Sequence, residues 1–199
     1  MKARMIWIAE WSYGPDLIVQ TMHALAAVVS PGDLAVQLRS REPLALKQAL
    51  LIRSEARRFG LFFILNRHLE LAKSLDVDGI HLGSDPSSIA TLRSSFSLPW
   101  ISTSAHNDQE VEWAAAHKAD AILVSPIFHS PGKGAPRGLA AISSARRLAP
   151  KSRIYALGGI DATCIDSCFH TGSDGIAAIR PFFDPVARRA LLHQLYNKP

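Results

Sequence analysis

Short apolar runs alternate with amphipathic stretches along the whole chain, and this alternation limits the fold more than any other feature. Eight runs have strand length: 4–9, 34–39, 61–66, 79–83, 100–105, 121–127, 153–159 and 175–180. They are rich in β-branched and aromatic residues. Most are continuous rather than alternating, as expected of strands buried on both faces. A helical pattern follows each of them. Residues 16–29 place apolar side chains at 17, 18, 22, 25, 28 and 29, one stripe at helical spacing. Pro43 stands where a first-turn proline belongs, ahead of a helix over 44–59. Helices are also predicted over 68–75, 87–96, 108–118, 139–148, 163–171 and 186–196, with Asn107 and Asp108 as a helix start that puts acid near the positive end of the dipole.

Regular βα alternation demands parallel strands joined by right-handed crossovers. Eight such units in 199 residues predict one domain over 1–199, a single (β/α)8 TIM barrel at the short end of the roughly 200–250 residues usual for that fold. The competing arrangement is an open doubly wound sheet. Against it, the first strand leads into Glu10-Trp11-Ser12-Tyr13-Gly14-Pro15, not the Gly-x-Gly-x-x-Gly of a dinucleotide fold.

The chain has no apolar run near the ~20 residues needed to cross a bilayer. Its first apolar stretch, Met5 to Ala9, is too short for a signal peptide and runs into Glu10. No membrane partner and a cytoplasmic location are therefore expected. The formal charge is +5, but the basic residues are spread over separate helices, as in Arg53, Arg57 and Arg58 or Arg188 and Arg189. That is the pattern of solvated helix faces rather than of a nucleic-acid groove, and it suits a small anionic partner. Cys164 and Cys168 are spaced i, i+4 and read as free, half-buried thiols. The sequence permits a homo-oligomer without requiring one.

Barrel chemistry sits at the C-terminal strand ends, and here those ends are polar. They deliver Gln37, Arg39 and Arg41; Asn66, Arg67 and His68; His81 and Asp85; Ser104 and His106; Ser125; Gly158 and Gly159; and Arg180. Strand 6 also feeds the longest break, 128–138, which carries His129, Ser130 and Lys133 and reads as a mobile loop with Gly132 and Gly134 as hinges. Gly158-Gly159 allows backbone N–H groups to approach an anion with no Cβ in the way. With the backbone of Ala177, Ala178 and Ile179 it predicts a phosphate cradle where barrels commonly hold phosphate. A phosphorylated small molecule is the expected partner.

Several of these stretches resemble the thiamin phosphate synthase and TenI-type superfamily. VQLRSR is similar to its Gln-x-Arg strand end, ILNRHLELAKSLDVDGIHLGSD to its Asn-Asp and Asp-Gly-x-His-x-Gly region, and ISTSAHN to its Ser-x-His segment. ADAILVSPIFHSPGKGAPRGL, IYALGGI and GSDGIAAI resemble the segments that follow, so the likeness runs from about 34 to 183. The resemblance implies that Gln37, Arg39, Arg41, Asn66 and Ser104 contact a pyrimidine and its diphosphate, with Ser130 and Lys133 from the loop. It also implies that Gly159 and the backbone of Ala177 to Ile179 hold a thiazole phosphate. Two positions depart from the synthases. Arg67 and Pro86 stand where they place Mg²⁺-binding aspartates, so no metal and no other cofactor is expected, and Arg67 becomes a candidate fixed charge. Pro126 stands where the TenI-type tautomerases keep a histidine, which leaves His129 as a candidate acid or base. The favoured expectation is a synthase-like transferase with its activity open. The alternatives are a TenI-like tautomerase or a non-catalytic binder of thiazole or thiamin phosphate.

Overall fold

The structure is a computed structural model that describes residues 3–95 and 100–196. Eight parallel strands close into a barrel in chain order: β1 (Met5–Glu10), β2 (Leu34–Arg39), β3 (Phe62–Asn66), β4 (Gly79–His81), β5 (Ile101–Ala105), β6 (Ala121–Val124), β7 (Arg153–Leu157) and β8 (Gly175–Ala178). The pairing Met5↔Ile176 joins the last strand to the first and rules out the open sheet. Around them run α1 (Pro15–Ala26), α2 (Leu46–Arg58), α3 (Leu69–Leu75), α4 (Ile89–Ser95), α5 (Asp108–Ala116), α6 (Ala140–Leu148), α7 (Ile165–His170), α8 (Arg180–Phe183) and α9 (Pro185–Tyr196).

Because successive strand residues face opposite sides, each strand sorts its side chains by parity. Met5, Trp7 and Ala9 of β1, with Leu34, Val36 and Leu38 of β2, pack outward against Ile18, Met22, Leu25 and Ile52 of the helices. Ile6, Ile8, Ala35, Ile64, Ala121, Leu123 and Ala177 fill the barrel itself. At its N-terminal end Trp100 stands edge-on to both Phe62 and Tyr155, and the Tyr155 hydroxyl donates to the Ala3 carbonyl at 2.7 Å. This aromatic plug closes the bottom of the barrel interior, which is left open at the top.

The bottom is also laced by three equivalent clasps. Asp78, Asp120 and Asp174 each precede an even-numbered strand and accept the backbone N–H of the preceding strand, from Phe63 (2.8 Å), Ile101 (2.7 Å) and Ile154 (2.7 Å). Each also meets an arginine from an even-numbered helix: Arg53 at 3.7 Å, Arg93 at 2.7 Å, and Arg146.

Several boundaries differ from the sequence expectation. Pro43 lies outside the first turn of α2; the helix starts after Ala45, whose N–H is taken by the Gln48 side chain at 2.9 Å. The strand expected over 121–127 stops at Val124, because Pro126 has no N–H to continue a ladder. The one expected over 153–159 stops at Leu157, where Gly158 and Gly159 turn to φ +94° and +66°. The strand expected to reach 180 ends at Ala178, and Arg180 opens α8 instead. The turn carries Phe182 and Phe183 outward onto Trp7. The helix expected over 87–96 is seen as α4 to Ser95; residue 96 lies outside the described residues. Asn107 caps α5 as predicted, accepting the Glu110 N–H at 2.8 Å.

Candidate active site

The strand register brings the inward side chains of six strands to one mouth. Ala35, Gln37 and Arg39 share the inner face of β2, so the two polar residues stand above the apolar fill. The same parity delivers Asn66, His81, Ser104, Ser125 and Leu157. Together with the following loops they enclose a cavity of about 480 Å³ at the C-terminal end of the barrel.

The wall of this cavity is a network of neutral polar groups. Asn66 Nδ2 donates to Gln37 Oε1 at 2.8 Å. Gln37 is only 1% exposed, and its Nε2 has no protein acceptor. A buried amide donor facing a cavity without a partner costs stability that a ligand acceptor would restore. His68 Nε2, also at this cavity, is in the same condition. His81 is buried between two hydroxyls, with Ser102 Oγ 3.0 Å from Nδ1 and Ser104 Oγ 3.0 Å from Nε2. Burial, then the charges of Arg67 and Arg39, push its pKa down to about 3. Its imidazole is therefore neutral at physiological pH and orients Ser104.

The rim is cationic. Arg39, Arg41, Arg67 and Lys133 all line the cavity. Arg39 lies 3.3 Å from Glu10, the residue that ends β1. Arg67 has a left-handed backbone at φ +65°, and its N–H donates to the His81 carbonyl at 2.9 Å. Its guanidinium lies across Gly83, where a side chain would occupy the same space. No Asp or Glu lines this cavity. Asp85 stands away from it, exposed, with its carboxylate accepting the Ser87 N–H at 2.8 Å.

A smaller cavity of about 150 Å³ adjoins the first and shares Ser130, Leu157, Gly158 and Ile179 with it. Gly159, Ala177 and Ala178 line only this second space, together with Arg180, whose guanidinium lies 3.4 Å from Ser130 Oγ. A Cβ on Gly159 would fall 2.5 Å from the His129 carbonyl and 2.7 Å from Phe128 Cβ. The turn after β7 is thus threaded against the start of the 128–138 loop, whose other end is tied down by Arg137 N–H to the Pro126 carbonyl (2.8 Å).

Of the residues singled out from sequence, Gln37, Arg39, Arg41, Asn66, Arg67, Ser104, Ser130, Lys133, Gly158 and Ile179 meet at the larger cavity, and Gly159, Ala177 and Ala178 at the smaller. His129 meets neither: its side chain is exposed, and it is the backbone carbonyl that abuts Gly159. The cavity also takes in Ser40, Ser84, His106 and Ser125. All four stand at or just after strand ends, where the sequence already places His106 and Ser125 among the polar termini.

A family model described as thiamine monophosphate synthase matches residues 14–182. The thiamine-phosphate synthase of Lysinibacillus sphaericus is 31% identical over 164 residues, which cover 78% of this chain and 77% of that protein. That of Gloeobacter violaceus is 33% identical over 172 residues, 83% of this chain but 49% of the relative, so the chain spans about half its length. Among solved structures, a thiamine phosphate pyrophosphorylase from Pyrococcus furiosus superposes with a TM-score of 0.82 at 20% identity, covering 98% of this chain and 95% of its own. A 3-hexulose-6-phosphate synthase superposes at 0.69 with 15% identity, covering 96% and 98%. The structural likenesses establish the barrel, and the sequence matches establish the kinship: the chain belongs to the thiamin phosphate synthase and TenI family.

Proposed function

We propose that this chain is a synthase-type transferase that joins a pyrimidine carried as a methyl diphosphate to a thiazole phosphate. The observation that supports it most is the pair of adjoining cavities, one rimmed by four cationic side chains and the other built around a glycine turn. Joining two phosphorylated partners calls for two anion sites that share a wall. A tautomerase acting on one phosphorylated ring needs one such site and a proton-transfer group beside it. Here Pro126 stands at the end of β6, and the His129 side chain lies outside both cavities.

In this reading the thiazole phosphate occupies the cradle of Gly159 and Ala177 to Ile179. The pyrimidine lies against Gln37, Asn66 and Ser104, where the unpaired Gln37 N–H finds a ring acceptor. The diphosphate reaches the rim, among Arg39, Arg41, Arg67 and Lys133. The bond between the pyrimidine methylene carbon and the diphosphate oxygen breaks with its electron pair on the departing diphosphate. The thiazole nitrogen lone pair then forms the new C–N bond. No proton or electron acceptor is needed, so the residues' task is to align the two rings and to stabilise the leaving charge.

The family's synthases bring Mg²⁺ to such a diphosphate, and the donors present here do not suit it. Mg²⁺ demands oxygen ligands, usually one or two carboxylates. Among the described residues no group of three or more His, Cys, Asp or Glu could hold a metal, and the cavity side chains nearest that position are Arg67 and His68. No step above is routed through a metal. The test is to incubate the purified protein with both substrates, with and without Mg²⁺, and to look for thiamin phosphate. Its absence under both conditions would end the synthase reading. Turnover of the thiazole carboxylate phosphate alone would replace it with the tautomerase.

A further inference from the structure

We infer that the rim of the larger cavity is a metal-independent diphosphate site, in which the Arg67 guanidinium occupies the place and takes over the charge of a divalent ion. The inference deepens the reading above and rests on it for the identity of the anion.

Three features of the structure support it. The first is the construction around Arg67. Its left-handed backbone, anchored by the N–H donated to the His81 carbonyl, sets the direction in which the side chain leaves β3. Gly83 at the end of β4 then leaves open the space in which the guanidinium lies; a Cβ there would fall 2.8 Å from Nε. Arg67 is exposed, and its head group lies over the end of β4 at the mouth of the cavity. The second is the charge balance. Arg39, Arg41, Arg67 and Lys133 converge with no carboxylate in the lining, and Glu10, beside Arg39, is the only acid within ion-pair distance of any of the four among the described residues. A magnesium site brings carboxylates to the cation, whereas this rim brings cations and leaves the carboxylates to the ligand. The third is the orphaned His68 Nε2, next in sequence to Arg67 and at the same cavity. A planar guanidinium donates in a fork matched to two phosphate oxygens, which a tetrahedral diphosphate presents at each phosphorus.

Inorganic pyrophosphate can also settle in the glycine cradle, so the test separates the two positions. Calorimetric titration of the full chain with inorganic pyrophosphate in EDTA should show binding, and replacing EDTA with Mg²⁺ should not tighten it. Arg67→Gly removes the guanidinium while suiting the backbone at φ +65°; it should weaken pyrophosphate binding in EDTA by about tenfold or more, the worth of one charge-assisted contact. Arg67→Lys, which keeps a point charge without the fork, should fall between the two. Gly159→Ala should affect pyrophosphate less than Arg67→Gly does. Binding that appears only with Mg²⁺ would overturn the inference, as would an Arg67→Gly protein that binds as well as the parent or no binding at all. Should Arg67→Gly fail to fold, the Lys variant and the EDTA comparison decide. Thiamin phosphate formation, measured in the same two buffers, separates the fates of the two ideas. Metal-free pyrophosphate binding without product sinks the synthase reading alone, and product formed only with Mg²⁺ sinks this inference alone.

Discussion

Gly159→Ala is the sharpest perturbation of the cradle, because two independent costs fall on one added methyl. The residue sits at φ +66°, a conformation that costs an L-residue roughly 1–2 kcal/mol. The new Cβ would stand 2.5 Å from the His129 carbonyl and 2.9 Å from the Phe128 carbonyl carbon. Both are backbone atoms, so no side-chain rotation relieves the overlap, and forcing a methyl into filled space adds about 1–3 kcal/mol. The sum is about 2–5 kcal/mol. At about 2–4 °C per kcal/mol for a chain of this size, the melting temperature should fall by roughly 4–20 °C. The segment displaced, 128–129, leads directly to Ser130, which lines both cavities, so affinity for inorganic phosphate should fall with stability. Gly134→Ala is the control: a Cβ there meets nothing within 4 Å, and the change should stay within about 0.5 kcal/mol. The assay is thermal and urea unfolding of the three proteins, with phosphate titration of each. A Gly159→Ala protein that melts within about 2 °C of the parent and binds phosphate equally would refute the account of a cradle built on a bare backbone turn.

Other outcomes follow from the same geometry. The folded-state pKa of His81, about 3, lies below its ordinary 6.5. Its contribution to stability is therefore complete above pH 6.5 and is lost as pH falls from there toward 3. Melts across that window should show a slope of up to about 1.4 kcal/mol per pH unit, and His81→Gln should remove it; an equal slope in the variant would be fatal to the idea. Asp120→Ala strands the Ile101 N–H and the Arg93 guanidinium at the closed end of the barrel. It should cost about 1–3 kcal/mol in urea unfolding while leaving phosphate affinity unchanged. Gln37→Met removes an unpaired donor but also the acceptor of Asn66 Nδ2. Stability should move by less than about 1 kcal/mol, whereas affinity for the pyrimidine diphosphate, read by calorimetry, should fall about tenfold or more.

Much of this architecture is legible in the sequence. The period of apolar runs predicts the barrel because parallel strands buried on both faces leave a continuous apolar signature, and Gln37, Arg39 and Asn66 violate it just where each strand ends. What escaped was of two kinds. Hydropathy overextends the strand termini at β4, β6, β7 and β8, because Leu82-Gly83, Ser125-Pro126, Gly158-Gly159 and Ile179-Arg180 leave the ladder for backbone reasons that it does not register. The clasps of Asp78, Asp120 and Asp174 were missed as a set, although all three sit at the same place relative to an even-numbered strand and a repeat search on that register would have found them. His129 is the converse case: a histidine near strand 6 suggests chemistry, but the residue is exposed and lines neither cavity, and it is its carbonyl that packs on Gly159.

The distribution of acid along the barrel joins these observations. The chain holds 17 Asp and Glu residues, and none lines either the large cavity or the cradle. At the opposite end three aspartates each bind a strand N–H and an arginine, so their negative charge is neutralised within the scaffold. Arg53, Arg93 and Arg146 are likewise taken up there, whereas Arg41, Arg67 and Lys133 have no acidic partner among the described residues. Unpaired cations also stand elsewhere, as at Lys47, Lys151 and Arg189, but at the open end Arg41, Arg67 and Lys133 line one cavity, whose low-dielectric walls focus their field on an entering anion. A carboxylate placed at position 67 would sit among Arg39, Arg41 and Lys133 and pair with them first. If the rim holds a diphosphate as proposed, the neighbours that favour the anion would also compete with a metal for any carboxylate at that position, and the arginine and its cationic surroundings would act as one device.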